Sequence, residues 1–182
     1  RHDGLASAGQ LLLLLGSLFL ARRPIQAAWS DLGARMQRRF LLLGLVGAAL
    51  PLLVFPTERY DPLGHEASYF EVFSGQTTPS NEAGWHPYVT YPLLRWVYWG
   101  IGLLVGQDTG PLPLLLLNAL FSGLSVALFA WFARVFTERD SIALAGGLLL
   151  LVSPNRLFWG AAIFHTSIPY ALAMACLVLT ML

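Results

Sequence analysis

The sequence is poor in charge and in cysteine, and it contains no lysine. Charged residues make up 12% of its 182 residues, and all of the lysine-or-arginine total is arginine. A formal net charge of +1, with no arginine stripe along a polar helix, excludes a basic nucleic-acid-binding protein. The single cysteine, Cys176, excludes a disulfide framework and a cysteine-based metal site. It lies in an apolar run, where we expect it to pack.

The motifs of several soluble enzymes are also missing. The chain has no GxxxxGK[ST] phosphate loop and no GxSxG nucleophile elbow. The stretch HEASY begins like a zinc-protease motif, but it lacks the second histidine four residues after His65. These absences leave the apolar segments as the main source of information.

The sequence is rich in long apolar segments, with 56% hydrophobic residues and a mean hydropathy of +0.62. A membrane-spanning helix needs about 20 mostly apolar residues. We predict an all-α fold, a multi-pass transmembrane helix bundle, with spans or partial spans at residues 5–21, 40–55, 112–136, 141–152 and 161–182. A signal peptide is the alternative for residues 5–21, although the basic residues there follow the apolar core. Because the chain starts at Arg1 and stops within an apolar run, we expect a piece of a longer membrane protein.

The distribution of arginine predicts the orientation of these helices. Residues 22–39 hold five arginines against the single acid Asp31, whereas residues 56–90 hold one arginine and five acids. Short arginine-rich loops remain cytoplasmic. Residues 1–39 are therefore predicted to be an extra N-terminal transmembrane helix with a cytoplasmic loop. Residues 40–182 would form the main membrane domain, with an extracytoplasmic loop at residues 56–111.

Residues 91–106 allow two interpretations. Sixteen residues of helix extend roughly 24 Å, which is shorter than a hydrocarbon core of about 30 Å. The segment contains Pro92, Arg95 and several aromatic residues, which favour the interface. We predict a juxtamembrane helix within the outer loop, and a short span is the alternative. In the first case residues 112–136 run inward, and in the second they run outward. The turn TERD carries both charges and indicates neither side.

The outer loop opens with RYDPLGHEASYF, which also has two interpretations. Asp61-Pro62 is typical of a helix start, with Asp as N-cap and Pro at the first helical position. Glu66 and Tyr69 would then lie on one side of a short amphipathic helix at the membrane surface. Alternatively, a carboxylate beside an apolar wall can act as a general base. His65 and Glu66 are close enough in sequence to share a site with Asp61.

Three further residues are candidates with equally ordinary explanations. His86 lies in WHPYVTYPLLRW, which is typical of an interfacial aromatic belt. Arg95 could extend to the interface, or it could bind an anionic headgroup phosphate. His165, between apolar stretches, could be a packing residue or a ligand. Asn155 and Arg156, after Ser153-Pro154, look like the turn at a helix end.

The order of these features resembles the GT-C membrane glycosyltransferases, in particular the protein O-mannosyltransferase and aminoarabinose-transferase group. That group has an outer loop opening with D-E-x-x-Y or D-x-x-x-H, followed by Gly and an H-P-P-x-x-Y-x-L-type segment. This chain has Asp61 with His65, Glu66 with Tyr69, then Gly75 and HPYVTYPLLRW. NALFSGLSVALFAWFARVF and ALAGGLLLLVSPNRLFW are similar to the helix pair that follows. The resemblance covers residues 40–182.

The resemblance implies a transferase that takes sugar from a polyprenyl-phosphate carrier on the extracytoplasmic side of a bacterial inner membrane. Asp61 would be the base, while His65 and Glu66 would orient it or help to hold a divalent metal with it. The residues implied to bind substrate or lipid phosphate are Tyr69, His86, Arg95 and His165. The acceptor (protein, lipid or glycan) is open.

The chain departs from the family pattern at two places. His65 stands where the first acid of D-E-x-x-Y would be, and FHTSIPY carries no carboxylate. The alternatives are a transporter or flippase-like bundle for a lipid-linked or anionic solute, and a non-catalytic assembly subunit. A transporter needs ionisable residues facing a cavity near mid-membrane, and the predicted helices contain almost none.

Overall fold

The computed structural model describes residues 2–54, 99–104, 106, 112–161 and 167–182. Every element within these ranges is helical, which confirms the all-α prediction for this part of the chain. Residues 99–104 form a short helical stretch before Gly106. The longer helices are α1 (His2–Asp31), α2 (Gly33–Val54), α3 (Leu112–Thr137), α4 (Asp140–Leu151), α5 (Pro154–Ala161) and α6 (Ser167–Met181).

The segment predicted as a cytoplasmic loop, residues 22–39, is helical except at Leu32, and the side of the membrane on which it lies remains a prediction. Ile25, Ala28, Trp29 and Leu32 recur at helical spacing and pack against the buried core. The Trp29 ring meets that of Trp131 edge-on, with centroids 5.4 Å apart. The arginine count had indicated a side of the membrane, but it carried no information about this packed face. α1 is therefore one 30-residue helix that includes both the apolar run and the first arginines.

Small residues bring the backbones of α2 and α3 into contact. A Cβ atom placed on Gly47 would lie 3.1 Å from the Cα of Gly123, and one on Gly44 would lie 3.3 Å from the Cβ of Ala127. A Cβ on Gly123 would lie 2.7 Å from the backbone nitrogen of Ala48. Positions that increase along α2 thus meet positions that decrease along α3. The two helices are antiparallel, with the small-residue contact typical of helices packed in membranes.

α3 is the central helix of the described bundle and contacts α2, α4, α5 and α6. Only Glu138 and Arg139 separate it from α4, and Glu138 takes a positive φ of 57° in this turn. Arg134 and Asp140 form a salt bridge across the turn. A Cβ on Gly147 would lie 3.1 Å from that of Ala130, so α4 runs back along α3. The core that these helices enclose comprises Met36, Phe40, Leu43, Val126, Ala130, Trp131, Ala143, Leu151 and Val178.

This packing identifies the direction of α3. Because α2 and α3 are antiparallel, Val54 and Leu112 lie at one end of the bundle, and the start of α2 lies with Thr137 at the other. The turn TERD therefore shares an end with Arg35 and its neighbours. A single membrane crossing between Val54 and Leu112 would place Leu112 at the arginine-rich end, opposite to what is observed. Most of residues 91–106 lie outside the described residues, so the choice between the two interpretations of that segment remains a prediction.

Two of the described helices are long and apolar enough to cross a membrane, at Gly33–Val54 and Leu115–Thr137. The core helix of a soluble protein can share that length and composition, and the second stretch is 56% buried. The first is 22% buried and lies near the N-terminus, where a signal sequence can share the same length and composition. Its exposed side chains include Leu42, Leu45 and Leu53. An exposed apolar face of this extent favours a membrane protein.

The α2–α3 contact generates a first prediction. Gly123→Ala should lower the free energy of unfolding by about 1–3 kcal/mol, because the added methyl group meets backbone atoms of α2 that cannot rotate away. Thermal unfolding in detergent measures this. Gly16→Ala is the matched control, since a Cβ there meets nothing within 4 Å, and it should leave stability unchanged or slightly raised. Equal melting of the two variants would contradict the close contact.

Candidate functional site

The seven site residues predicted from the sequence lie outside the described part of the chain, so their roles remain predictions. They are Asp61, His65, Glu66, Tyr69, His86, Arg95 and His165. A divalent metal at Asp61 and Glu66 is likewise untested. Within the described residues, no three His, Cys, Asp or Glu side chains come together in a group that could hold a metal ion.

The described structure instead brings polar groups together around Arg156, which the sequence interpretation had treated as part of a turn. Its Nε donates to the carbonyl of Leu150 at 3.0 Å, and its Nη2 donates to that of Leu151 at 2.7 Å. Its Nη1 donates to the carbonyl of Gly47 at 2.9 Å and to Ser122 Oγ at 2.7 Å. One side chain on α5 thus joins α2, α3 and the end of α4.

The two α4 carbonyls need a donor because the helix ends there. The last four carbonyls of an α-helix have no partner within the helix, and Leu150 and Leu151 are the final residues of α4. The backbone N–H of Ser153 also donates to the Leu150 carbonyl, at 3.2 Å. A cation at a helix C-terminus interacts favourably with the helix dipole. Arg156 therefore acts as a side-chain cap for α4.

The Gly47 carbonyl needs a donor for a different reason. In an α-helix it would accept from the N–H of the residue four positions later, which here is Pro51, inside α2. Proline has no N–H, and Pro51 is fully buried. Arg156 Nη1 supplies the missing donor from 109 residues further along the chain. A proline in an apolar helix could have indicated an unpaired carbonyl at Gly47, but no local signal indicates its distant donor.

Ser122 belongs to a short line of buried polar residues on α3. Asn118 and Ser122 are 3% and 1% exposed and stand one helical turn apart. Ser125 is also buried, and its hydroxyl donates to the Ser122 carbonyl at 2.7 Å. Buried hydroxyls in an apolar bundle need partners, and the Ser122 oxygen accepts from Arg156. Ser122 and Ser125 on α3 and the arginine on α5 are thus linked by hydrogen bonds.

Arg156 is a fixed cation in this network. Among the described residues no carboxylate forms an ion pair with it. Partial burial, by desolvating the charged form, lowers the pKa of Arg156 to about 10. The side chain stays protonated near neutral pH, so it is not suited to proton transfer there. Its four hydrogen bonds to protein oxygens offset the desolvation, and its role in the described structure is to hold three helices together.

A second prediction concerns this network. Arg156→Gln should lower the free energy of unfolding by about 1–3 kcal/mol, since it leaves buried carbonyl oxygens without a donor. Denaturation in detergent measures the change. Arg139→Gln is the control: Arg139 is exposed, so its loss should change stability by less than about 0.5 kcal/mol.

A double-mutant cycle separates the contribution of Pro51 from the other hydrogen bonds of Arg156. Pro51→Ala restores an N–H that can bond to the Gly47 carbonyl within α2. In that background Arg156→Gln should cost about 1 kcal/mol less than in the wild type. Strictly additive effects would show that Arg156 does not substitute for the missing proline donor.

Comparison with known proteins adds nothing to this description. No protein-family model, curated protein sequence or solved structure matches the chain. The likeness to GT-C glycosyltransferases therefore depends on the order of motifs in the sequence alone, and a function based on it is a proposal.

Proposed function

We propose that this chain is part of a membrane glycosyltransferase that takes a sugar from a polyprenyl-phosphate carrier at the extracytoplasmic face of a bacterial plasma membrane. The observation that carries the proposal is the ordered set of motifs in the outer loop. Asp61 with His65, Glu66 with Tyr69, and the segment HPYVTYPLLRW starting at His86 follow one another directly after an apolar helix.

The described fold supports this proposal in two ways. The segment that carries most of the motifs leaves α2 and enters α3 at one end of the bundle, away from the arginine-rich end. In addition, Arg156 hydrogen-bonds to Gly47 in the second half of α2, and α5 precedes the segment that contains His165 in the sequence. Arg156 thus links the helix that precedes the outer-loop motifs to the helix that precedes His165.

The proposed reaction is an attack of an acceptor hydroxyl on the anomeric carbon. Asp61 takes the proton from the hydroxyl as the new glycosidic bond forms. The bond from the anomeric carbon to the carrier phosphate breaks, and the phosphate oxygen leaves with the electron pair. Arg95 and His86 would offset the negative charge that grows on the phosphate. His65 and Glu66 would orient Asp61 or help to hold a divalent metal.

Arg156 is relevant to the alternative function, in which the protein transports a solute and catalyses no reaction. A transporter needs an ionisable group that faces a cavity, and Arg156 is the ionisable group that reaches between α2 and α3. Its guanidinium already donates to four protein oxygens. A group engaged in this way is suited to holding helices, so Arg156 does not favour transport.

Topology provides a third prediction. In intact cells, a membrane-impermeant thiol reagent applied outside should label Thr78→Cys and spare Gln26→Cys, because residues 22–39 hold the arginine excess. The background must be Cys176→Ser: the native thiol is exposed, contrary to the expectation that it packs. Labelling of Gln26→Cys but not Thr78→Cys would refute the orientation and, with it, the extracytoplasmic site.

The fourth prediction tests Asp61 as a base. Asp61→Asn keeps an oxygen acceptor for a helix cap, so its melting temperature should stay near that of the wild type. Asparagine cannot usefully take a proton, so sugar transfer should fall by about 10²–10⁴-fold. Glu66→Gln should show a smaller loss. Transfer from a polyprenyl-phosphate sugar is measured in the full-length protein.

The matched control for Asp61→Asn is Glu82→Gln, which removes another acid of the same segment that has no assigned role. It should retain transfer. Full activity of Asp61→Asn would leave Asp61 only the capping role. Equal losses in Asp61→Asn and Glu82→Gln would indicate a general effect of negative charge in the segment.

A further inference from the structure

The exposed face of α2 changes character sharply along its length. Arg35 and Arg38 are exposed, and the same side of the helix continues three and four residues apart through Leu42 and Leu45 to Leu53. These three leucines are 59%, 67% and 77% exposed. The opposite side, with Phe40 and Pro51 among others, is buried. The exposed stripe is thus arginine for the first turns and apolar from there to the end of the helix.

α1 shows the same change independently. Leu13 and Leu20 are 74% and 81% exposed, and Arg22 and Arg23 follow immediately and are also exposed. The guanidinium carbon of Arg22 lies 3.9 Å from the centre of the Phe19 ring. No other described part of the chain packs against the first half of α1 at Gly9 or Gly16, since a Cβ at either position would meet nothing within 4 Å.

Both changes run towards the α1–α2 junction along the chain, since α1 ends at Asp31 and α2 begins at Gly33. Seven of the eight arginines in the described part of the chain lie near this junction or near the α3–α4 turn, against three described acids, and all but Arg134 are exposed. Arg134 forms an ion pair with Asp140, and this is the ion pair found among the described residues. The remaining charge therefore faces outward beside apolar surface. The seven are Arg22, Arg23, Arg35, Arg38, Arg39, Arg134 and Arg139.

We propose that Arg22, Arg23, Arg35, Arg38 and Arg39 form a binding surface for the headgroup phosphates of anionic phospholipids; we call these five residues the arginine corner. Leucines on both helices would contact acyl chains, and the arginines begin where the acyl region would end. Guanidinium groups bind phosphate oxygens in a two-pronged fashion. An anionic lipid fits better than a zwitterionic one, because the latter brings a cation that repels the unpaired arginines.

This inference is independent of the proposed sugar transfer. It requires that α2 crosses a membrane, and it concerns the end of the bundle away from the outer-loop motifs. Basic side chains near an anionic membrane surface each contribute a binding energy equivalent to about fivefold in affinity. Five of them together would give a marked preference for anionic lipid that declines as the charges are removed.

The test uses the full chain in mild detergent with equal amounts of phosphatidylglycerol and phosphatidylcholine, and native mass spectrometry measures which lipid stays bound. The wild type should retain phosphatidylglycerol preferentially. Replacing all five arginines of the corner by Gln should abolish the preference, and single replacements should lower it by about fivefold each. Arg139→Gln is the control and should keep the preference, since Arg139 lies between Glu138 and Asp140.

The variant with all five arginines replaced by Gln could fail to fold, so a salt titration of the wild type provides a second test. Raising ionic strength from about 0.1 M to about 1 M shortens the Debye length from about 10 Å to about 3 Å, so the preference should weaken strongly. A preference that persists in the Gln variant or at high salt would overturn the proposal. So would an equal loss in Arg139→Gln. Release of phosphatidylglycerol by inorganic phosphate, beyond that by chloride at matched ionic strength, would show a free-phosphate site instead.

Discussion

The contact between the backbones of α2 and α3 is the constraint on which the rest of the described structure depends. With glycine at positions 44, 47 and 123, the two helices approach more closely than larger side chains would allow. The antiparallel arrangement that results places both ends of the outer segment at one end of the bundle. It also gathers the arginines of α2 and of the α3–α4 turn at the other end. The packing gives the relative directions of the helices, and the side of the membrane on which each end lies remains a prediction from the arginine count.

The same contact makes the Arg156 network possible. Because the backbones touch, the Gly47 carbonyl on α2 and the Ser122 hydroxyl on α3 are close enough for one guanidinium nitrogen to serve both. Carbonyl groups at two places lack a donor from their own helix: Gly47, four residues before Pro51 in α2, and the last residues of α4. The single side chain of Arg156 donates to both places. Placing a partly buried cation there carries a desolvation cost. The hydrogen bonds offset that cost, since the Gly47 carbonyl has no N–H donor from Pro51 and the Leu151 carbonyl lies at the end of α4.

Prediction from the sequence succeeded where hydropathy alone decides the outcome. The apolar run at residues 112–136 matches α3 closely, and the run at 141–152 matches α4 to within one residue. At residues 22–39 the arginine count predicts only a side of the membrane, whereas the helical spacing of Ile25, Trp29 and Leu32 is the signal for the packed helix observed there. Prediction from the sequence missed Arg156, because its partners lie in three other helices and no local pattern specifies them. The motif residues of the outer loop carry the functional proposal, and their arrangement in space remains a prediction.

The separation of Arg156 from its partners in sequence has a consequence for biosynthesis. Gly47 and Ser122 precede Arg156 by 109 and 34 residues. At about 5–20 residues per second, the ribosome makes the arginine roughly 5–20 s after Gly47. α3 ends at Thr137, so for the last 19 residues of that interval, about 1–4 s, α2 and α3 are both complete while the α2 carbonyl opposite Pro51 still lacks its final donor. During that time the glycine contact is what can pair α2 with α3, because the side chain that links them to α5 has not yet been made.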